Sequence, residues 1–158
     1  MTTIAIAGAT GAVGQQMLEC LKERNIKANL KLLASARSKG KEIDGHIVEE
    51  LTKESFQGVD YVLGATGNDI TKMWMPWAKE AGCIVVDNSS AFRLENDVPL
   101  VIPEVNKEDI KKHHGLIANP NCATIIALVA LHALHKKYHI KRMIVTTFQA
   151  VSGAGVQG

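Results

Sequence analysis

Asn119-Pro120-Asn121-Cys122-Ala123-Thr124 puts a cysteine directly behind a residue that caps helices well, so Cys122 is expected in the first turn of a helix. There the free backbone N–H groups and the positive end of the helix dipole favour an anionic sulfur, the form that attacks carbonyls. The same N–H groups, together with the side chain of Asn121, are suited to hold the oxyanion that such an attack creates. A lone cysteine is more commonly a small buried hydrophobe. Cys20, within a helical pattern, and Cys83, at the start of an apolar run, are read that way. Cys122 sits in a polar cap and is read as a nucleophile.

A second chemical motif is Gly8-Ala9-Thr10-Gly11-Ala12-Val13-Gly14. Glycine at 11 lets the backbone approach a pyrophosphate, and glycine at 14 lets a helix pack closely on a strand. The phosphates would meet the free N–H groups of that helix. The usual fingerprint has glycine at 9 rather than 8, so a plain glycine turn is the alternative reading. A third motif follows the next apolar run. An NAD site usually carries a carboxylate there, about 20 residues past the glycines, to hold the ribose hydroxyls. This chain has Ala34-Ser35-Ala36-Arg37-Ser38-Lys39 instead. Arg37 can fork onto a 2′-phosphate while Ser35 or Ser38 adds a hydroxyl, which favours NADP over a merely solvated basic loop.

These motifs need elements to carry them. Thr3 to Ala7, Leu30 to Ala34, Tyr61 to Gly64 and Ile84 to Asp87 read as buried strands, as do Leu100 to Ile102 and Leu116 to Ala118. Helices are expected over Val13 to Arg24, ahead of Ala81-Gly82 with a break at Pro76, and near Lys107 to His113. Ser35 to Gly45 reads as a polar loop. A long helix from Cys122 to Tyr138 precedes a β-branched strand over Arg142 to Val151. The alternation predicts an α/β fold, a Rossmann-type, mostly parallel sheet with helices on both faces. In such sheets ligands bind at the carboxyl ends of the strands, and that is where the unusual motifs fall.

Composition narrows the function classes. The chain has 158 residues, 46% of them hydrophobic and 22% charged, with a net charge of +2, which points to neither nucleic acid nor an anionic membrane surface. No apolar stretch is of bilayer length, and Ile4 to Ala7 runs into the glycine loop rather than forming a leader. Three cysteines far apart fit a reducing, cytoplasmic setting and no zinc or disulfide framework. His132, His135 and His139 share a helical stripe and are read as polar residues of a helix end rather than metal ligands.

In order along the chain, Gly8 to Gly14, Ala34 to Ser38, Asp87-Asn88-Ser89-Ser90-Ala91-Phe92-Arg93, Pro103-Glu104-Val105-Asn106, Asn119 to Cys122 and Gln149-Ala150-Val151-Ser152-Gly153-Ala154-Gly155 resemble the signatures of the aspartate-semialdehyde dehydrogenase family. The resemblance implies that Cys122 attacks the aldehyde of aspartate 4-semialdehyde, that hydride passes to NADP, and that inorganic phosphate cleaves the thioester to 4-aspartyl phosphate. Biosynthesis of lysine, threonine and methionine runs the reverse reduction. By the same resemblance Arg93 binds phosphate, Gln149 orients the substrate, and Ser152 and Gly153 lie near the nicotinamide. Thr10, Gly11, Ala12 and Val13 hold the pyrophosphate, with Gly8 in the same cofactor site.

Residues 1–121 are expected to form the NADP-binding domain, and 122–158 the first helix and strand of a catalytic and dimerisation domain whose remainder should follow. The family's histidine base and substrate arginine belong to that remainder, so little turnover is expected of this chain alone, and a homo-oligomer of the full-length enzyme. A non-catalytic NADP-binding module and an N-acetyl-glutamyl-phosphate reductase-like enzyme are the alternatives.

Overall fold

A computed structural model describes residues 1–148. The chain divides into two compact units, Met1–Pro120 and Asn121–Gly158. In the first unit the chain runs β1 (Thr3–Ala7), α1 (Ala12–Glu23), β2 (Asn29–Ala34), β3 (Glu42–Ile43), β4 (His46–Glu50), β5 (Tyr61–Gly64), α2 (Asn68–Glu80), β6 (Ile84–Asp87), α3 (Pro103–Asn106) and β7 (Leu116–Ala118). The sheet order is β3-β4-β2-β1-β5-β6-β7. All neighbouring pairs are parallel except β3 with β4. The chain leaves β1 for β2 on one side and later returns past it to β5 on the other. The direction of winding therefore reverses beside β1, and in sheets of this kind ligands bind at the carboxyl ends of the strands flanking such a reversal, here β1 and β5.

Alternate residues of the strands feed two separate cores. Ala5 and Ala7 of β1 and Leu33 of β2 pack with Phe56, Val62, Val85 and Trp74, Met75 and Ala78 of α2. Ile6, Leu32 and Ala34 pack with Val48 and Leu18 of α1. A period of two along each strand thus buries both faces, with α2 on one and α1 on the other. The helices on both faces and the mostly parallel sheet are as expected.

Three local expectations differ from what the first unit adopts. Ser35 to Gly45 is not one loop, since it holds a 3-10 turn at Ala36–Ser38 and then enters the β3-β4 hairpin. That hairpin turns on Asp44 and Gly45, with φ of 59° and 76°, the left-handed pair a two-residue type I′ turn demands. Pro76 does not break α2, which runs unbroken through it. Pro76 and Lys72 both lie on the exposed side, where water can take the Lys72 carbonyl that proline leaves without an N–H. Leu100 to Ile102 is not a strand. It contributes a single bridge, Leu100 to Ala118, before Pro103 starts α3. A 3-10 helix at Lys107–Lys112 then follows α3.

In the second unit α4 (Cys122–Tyr138) ends at His139, whose φ of 53° makes it a left-handed cap donating its N–H to the His135 carbonyl at 2.8 Å. Residues 140–148 form neither helix nor strand, so the described part of the expected last strand is unpaired. Its final residues, Gln149 to Val151, lie outside the described residues. No helix among the described residues is long and apolar enough to cross a membrane.

Candidate functional site

The glycine loop is built by three glycines with different tasks. Gly8 has φ of +92°, and a Cβ there would lie 2.6 Å from the Ala65 carbonyl oxygen. A Cβ on Gly14 would lie 2.3 Å from the Gly8 carbonyl oxygen, so only glycine lets α1 seat against the end of β1. Gly11 differs, for its φ is −80° and its nearest neighbour to a Cβ is at 3.4 Å. Among the described residues nothing forbids a side chain at Gly11, which leaves the approach of an outside group as the reason to omit one. The loop is held rigidly. The N–H groups of Gly8 and Ala9 donate to the Leu33 carbonyl at 2.8 and 3.0 Å, and Gly11 N–H donates to the Gly8 carbonyl at 3.0 Å. Gly11 caps α1 without a side-chain hydrogen bond, and Gly11, Ala12 and Val13 are exposed. The amides of this first turn are therefore open to an anion.

Beside the glycine loop, the loop after β5 is locked from beneath. Trp74 Nε1 donates to Thr66 Oγ1 at 2.9 Å, and the Thr66 and Thr71 hydroxyls share a hydrogen bond of 2.7 Å. Trp74 and Thr71 are fully buried. The methyl of Thr66 lies 3.0 Å from where a Gly8 Cβ would be, so this network sets the far wall of the glycine loop.

At the end of β2, Ser35 and Arg37 are exposed, whereas Ser38 keeps only 8% of its surface and turns into the 3-10 helix. Of the two serines, Ser35 is the more available to a ligand. Among the described residues Arg37 forms no ion pair.

Arg93 is half-buried and already engaged. Its Nε donates to the Asn119 carbonyl at 2.8 Å and its Nη2 to the Asn88 carbonyl at 3.0 Å. Asn119 Nδ2 also donates to Asn88 Oδ1 at 2.6 Å, so the loops leaving β6 and β7 are tied twice. Buried Asp87 shapes the first of these loops by accepting from Ser89 N–H at 3.0 Å and Ser89 Oγ at 2.6 Å. The remaining Arg93 donors are the ones a phosphate could use.

Asn121 caps α4 as its residue type suggests, its Oδ1 accepting from Ala123 N–H at 3.0 Å and Thr124 N–H at 3.4 Å. The cap narrows which donors of this turn an oxyanion could use. Two of its amides serve the cap, and the Cys122 N–H and Asn121 Nδ2 are the donors left at this turn among the described residues. Cys122 is exposed, and so is Cys20, contrary to its reading as a buried hydrophobe, because α1 turns Leu18 rather than Cys20 to the sheet. Cys83 does follow that reading, and burial pushes its thiol above the usual range. Brief treatment with iodoacetamide at neutral pH is therefore expected to label Cys122 and Cys20 while sparing Cys83, as read by peptide mass. Rapid labelling of Cys83 in the folded chain would contradict its burial.

Gln149, Ser152 and Gly153 lie outside the described residues. Sequence reasoning did not find the Thr66–Thr71–Trp74 network or the Asn88–Asn119 pair. Asn88 and Asn119 stood at strand ends within recognised motifs, which was the available signal; the pairing of Trp74 with Thr66, across a helix terminus, left none.

Residues 3–113 match the family described as semialdehyde dehydrogenase, NAD binding domain. The chain is 47% identical over 157 residues to aspartate-semialdehyde dehydrogenase of Bacillus subtilis, covering 96% of this chain and 45% of that protein. Among solved structures, aspartate semialdehyde dehydrogenase II of Vibrio cholerae complexed with ASA superposes with a TM-score of 0.89 at 45% identity, covering 99% of this chain and 49% of that one. The Candida albicans aspartate semialdehyde dehydrogenase with NADP gives 0.72 at 29% identity, covering 87% and 48%. The chain spans about half the length of the curated relatives it matches. With a glycine loop and an uncapped helix at the end of β1, and with that match across most of the first unit, the chain belongs to the semialdehyde dehydrogenase family through its NAD-binding domain.

Proposed function

We propose that this chain supplies the NADP site and the nucleophilic cysteine of an aspartate-semialdehyde dehydrogenase, which reduces 4-aspartyl phosphate to aspartate 4-semialdehyde and phosphate. The Cys122 thiolate attacks the acyl carbonyl and expels phosphate, forming a thioester. NADPH, held by the first turn of α1 and by Arg37, would supply the hydride that reduces this thioester to the aldehyde, and the Cys122 thiolate would leave as the C–S bond breaks. Asn121 Nδ2 and the Cys122 N–H stabilise the oxyanion, and the spare donors of Arg93 hold the phosphate. By the family resemblance Gln149 would orient the substrate, and Ser152 and Gly153 would serve the nicotinamide. The enzyme works in the cytoplasm as a homo-oligomer at the relatives' full length, a setting supported by three unpaired cysteines.

The observation that carries the cofactor half of this reading is the pairing of an uncapped, Gly11-led helix with an exposed Arg37, without an ion pair among the described residues, at neighbouring strand ends. The first would hold the pyrophosphate and the second the 2′-phosphate. A thermal-shift comparison tests it. At about one hundred times the dissociation constant a bound ligand adds roughly 2.7 kcal/mol, enough to move the midpoint by several degrees. NADP is expected to give that shift and NAD a much smaller one. Equal shifts would remove the role of Arg37, and no shift in a folded sample would remove the cofactor half altogether.

A further inference from the structure

We infer that Lys39 sets the preference of this domain for NADP over NAD by engaging the Glu50 carboxylate that would otherwise occupy Arg37, an inference that rests on the NADP reading above. The end of β2 carries no acid, but the strand beside it does. Glu49 and Glu50 close β4, which pairs with β2 so that Glu50 stands opposite Ala34, and Leu51 N–H donates to the Ala34 carbonyl at 2.8 Å. Neighbouring strands lie about 4.8 Å apart, so two carboxylates stand one strand away from the Ser35–Arg37 turn.

Both are taken by lysines. Lys39 Nζ lies 3.3 Å from Glu50 Oε2, and Lys31 Nζ lies 3.9 Å from Glu49 Oε2. Arg37, two residues before Lys39, has no ion pair among the described residues. The backbone directs this division of charge. Ser38 N–H donates to the Ser35 carbonyl at 2.8 Å, and Gly40 N–H to the Val48 carbonyl at 2.9 Å, so the chain doubles back and lays Lys39 along β4. The side chains of Lys39 and Glu50 are 65% and 37% exposed, and a pair that open to water contributes little to stability. Its consequence is electrostatic. With Glu50 neutralised, the guanidinium fork faces a dianionic 2′-phosphate without a competitor. With Glu50 released, the carboxylate either takes the fork or repels the phosphate, while the ribose of NAD carries no charge to repel and its hydroxyls can donate to a carboxylate.

The experiment is a double-mutant cycle read by isothermal titration of NADP and of NAD into the wild-type chain and into Lys39→Ala, Glu50→Gln and the double variant. Melting midpoints within about two degrees of wild type show that each fold is intact. Lys39→Ala is expected to weaken NADP about tenfold and NAD less than twofold. In the Glu50→Gln background the same lysine substitution is expected to cost less than about twofold. An equal loss of NADP affinity in both backgrounds would mean that Lys39 touches the phosphate itself, and an unchanged ratio of NADP to NAD in Lys39→Ala would remove the lysine from specificity; either overturns the inference. Tight binding of neither cofactor by the wild-type chain would instead overturn the NADP reading on which it stands.

Discussion

Gly14→Ala is expected to destabilise the first unit by about 2 kcal/mol or more and to abolish dinucleotide binding. Two opposing effects decide the sign. Alanine is the better helix former by about 1 kcal/mol within a helix, and Gly14 lies inside α1. Against that, the new Cβ would lie 2.3 Å from the Gly8 carbonyl oxygen and 2.7 Å from the Ala9 Cα. Both are backbone atoms of the loop, so no side chain can swing away, and α1 must move off the end of β1. That movement carries the phosphate-facing amides with it. Gly11→Ala is the informative companion. Its backbone suits alanine and its Cβ would meet only the Gly8 carbonyl at 3.4 Å, so the melting midpoint should barely change. Cofactor affinity should nevertheless fall at least tenfold, since the methyl group points where the pyrophosphate approaches. Chemical denaturation and NADP titration of both variants separate the two roles. Wild-type affinity in Gly11→Ala would place the dinucleotide elsewhere.

Trp74→Ala is expected to cost about 3–5 kcal/mol, a large part of the stability a domain of this size normally has. Trp74 is fully buried and stacks on Phe56 with ring centroids 5.7 Å apart, joining α2 to the sheet. Its loss leaves a cavity among Ala5, Val62 and Val85, which rigid strands cannot collapse to fill. The milder Trp74→Phe keeps most of the packing but removes the donor to Thr66, at about 1–2 kcal/mol. Because Thr66 abuts Gly8, this variant should also weaken NADP, although Trp74 itself has no route to the ligand. Urea denaturation with parallel cofactor titration tests both effects. A Trp74→Ala chain as stable as wild type would show that this core is not what holds α2 in place.

The parts of this fold that were legible in the sequence are those where one local signal and one global demand agree. Fully apolar runs such as Ile4 to Ala7 and Ile84 to Val86 are what a strand buried on both faces needs, and each is a strand. Asn121 ahead of Cys122 announced a helix start, and its side chain makes the cap. The β3-β4 hairpin was missed although Asp44-Gly45 is a strong turn signal, because Glu42, His46, Glu49 and Glu50 gave the flanking residues a loop-like polarity. Those residues lie at the sheet edge, where polar side chains are at home. Pro76 misled in the opposite sense, since the cost of a proline in a helix falls where the carbonyl it deprives can reach water. The engagement of Arg93 with two carbonyls was beyond sequence reasoning altogether, for those carbonyls come from Asn88 and Asn119, far apart in the chain and brought together only by the pairing of β6 with β7.

That engagement of Arg93 bears on how tightly an anion can be held. A free arginine side chain carries about 2 kcal/mol of rotational freedom, which it must surrender when it grips a ligand. Arg93 has surrendered most of it during folding, pinned by its Nε and one terminal nitrogen to the ends of two adjacent strands. The entropy loss is therefore charged to the stability of the domain and not to the arrival of the ligand, and an anion meets a guanidinium whose plane and direction are already fixed.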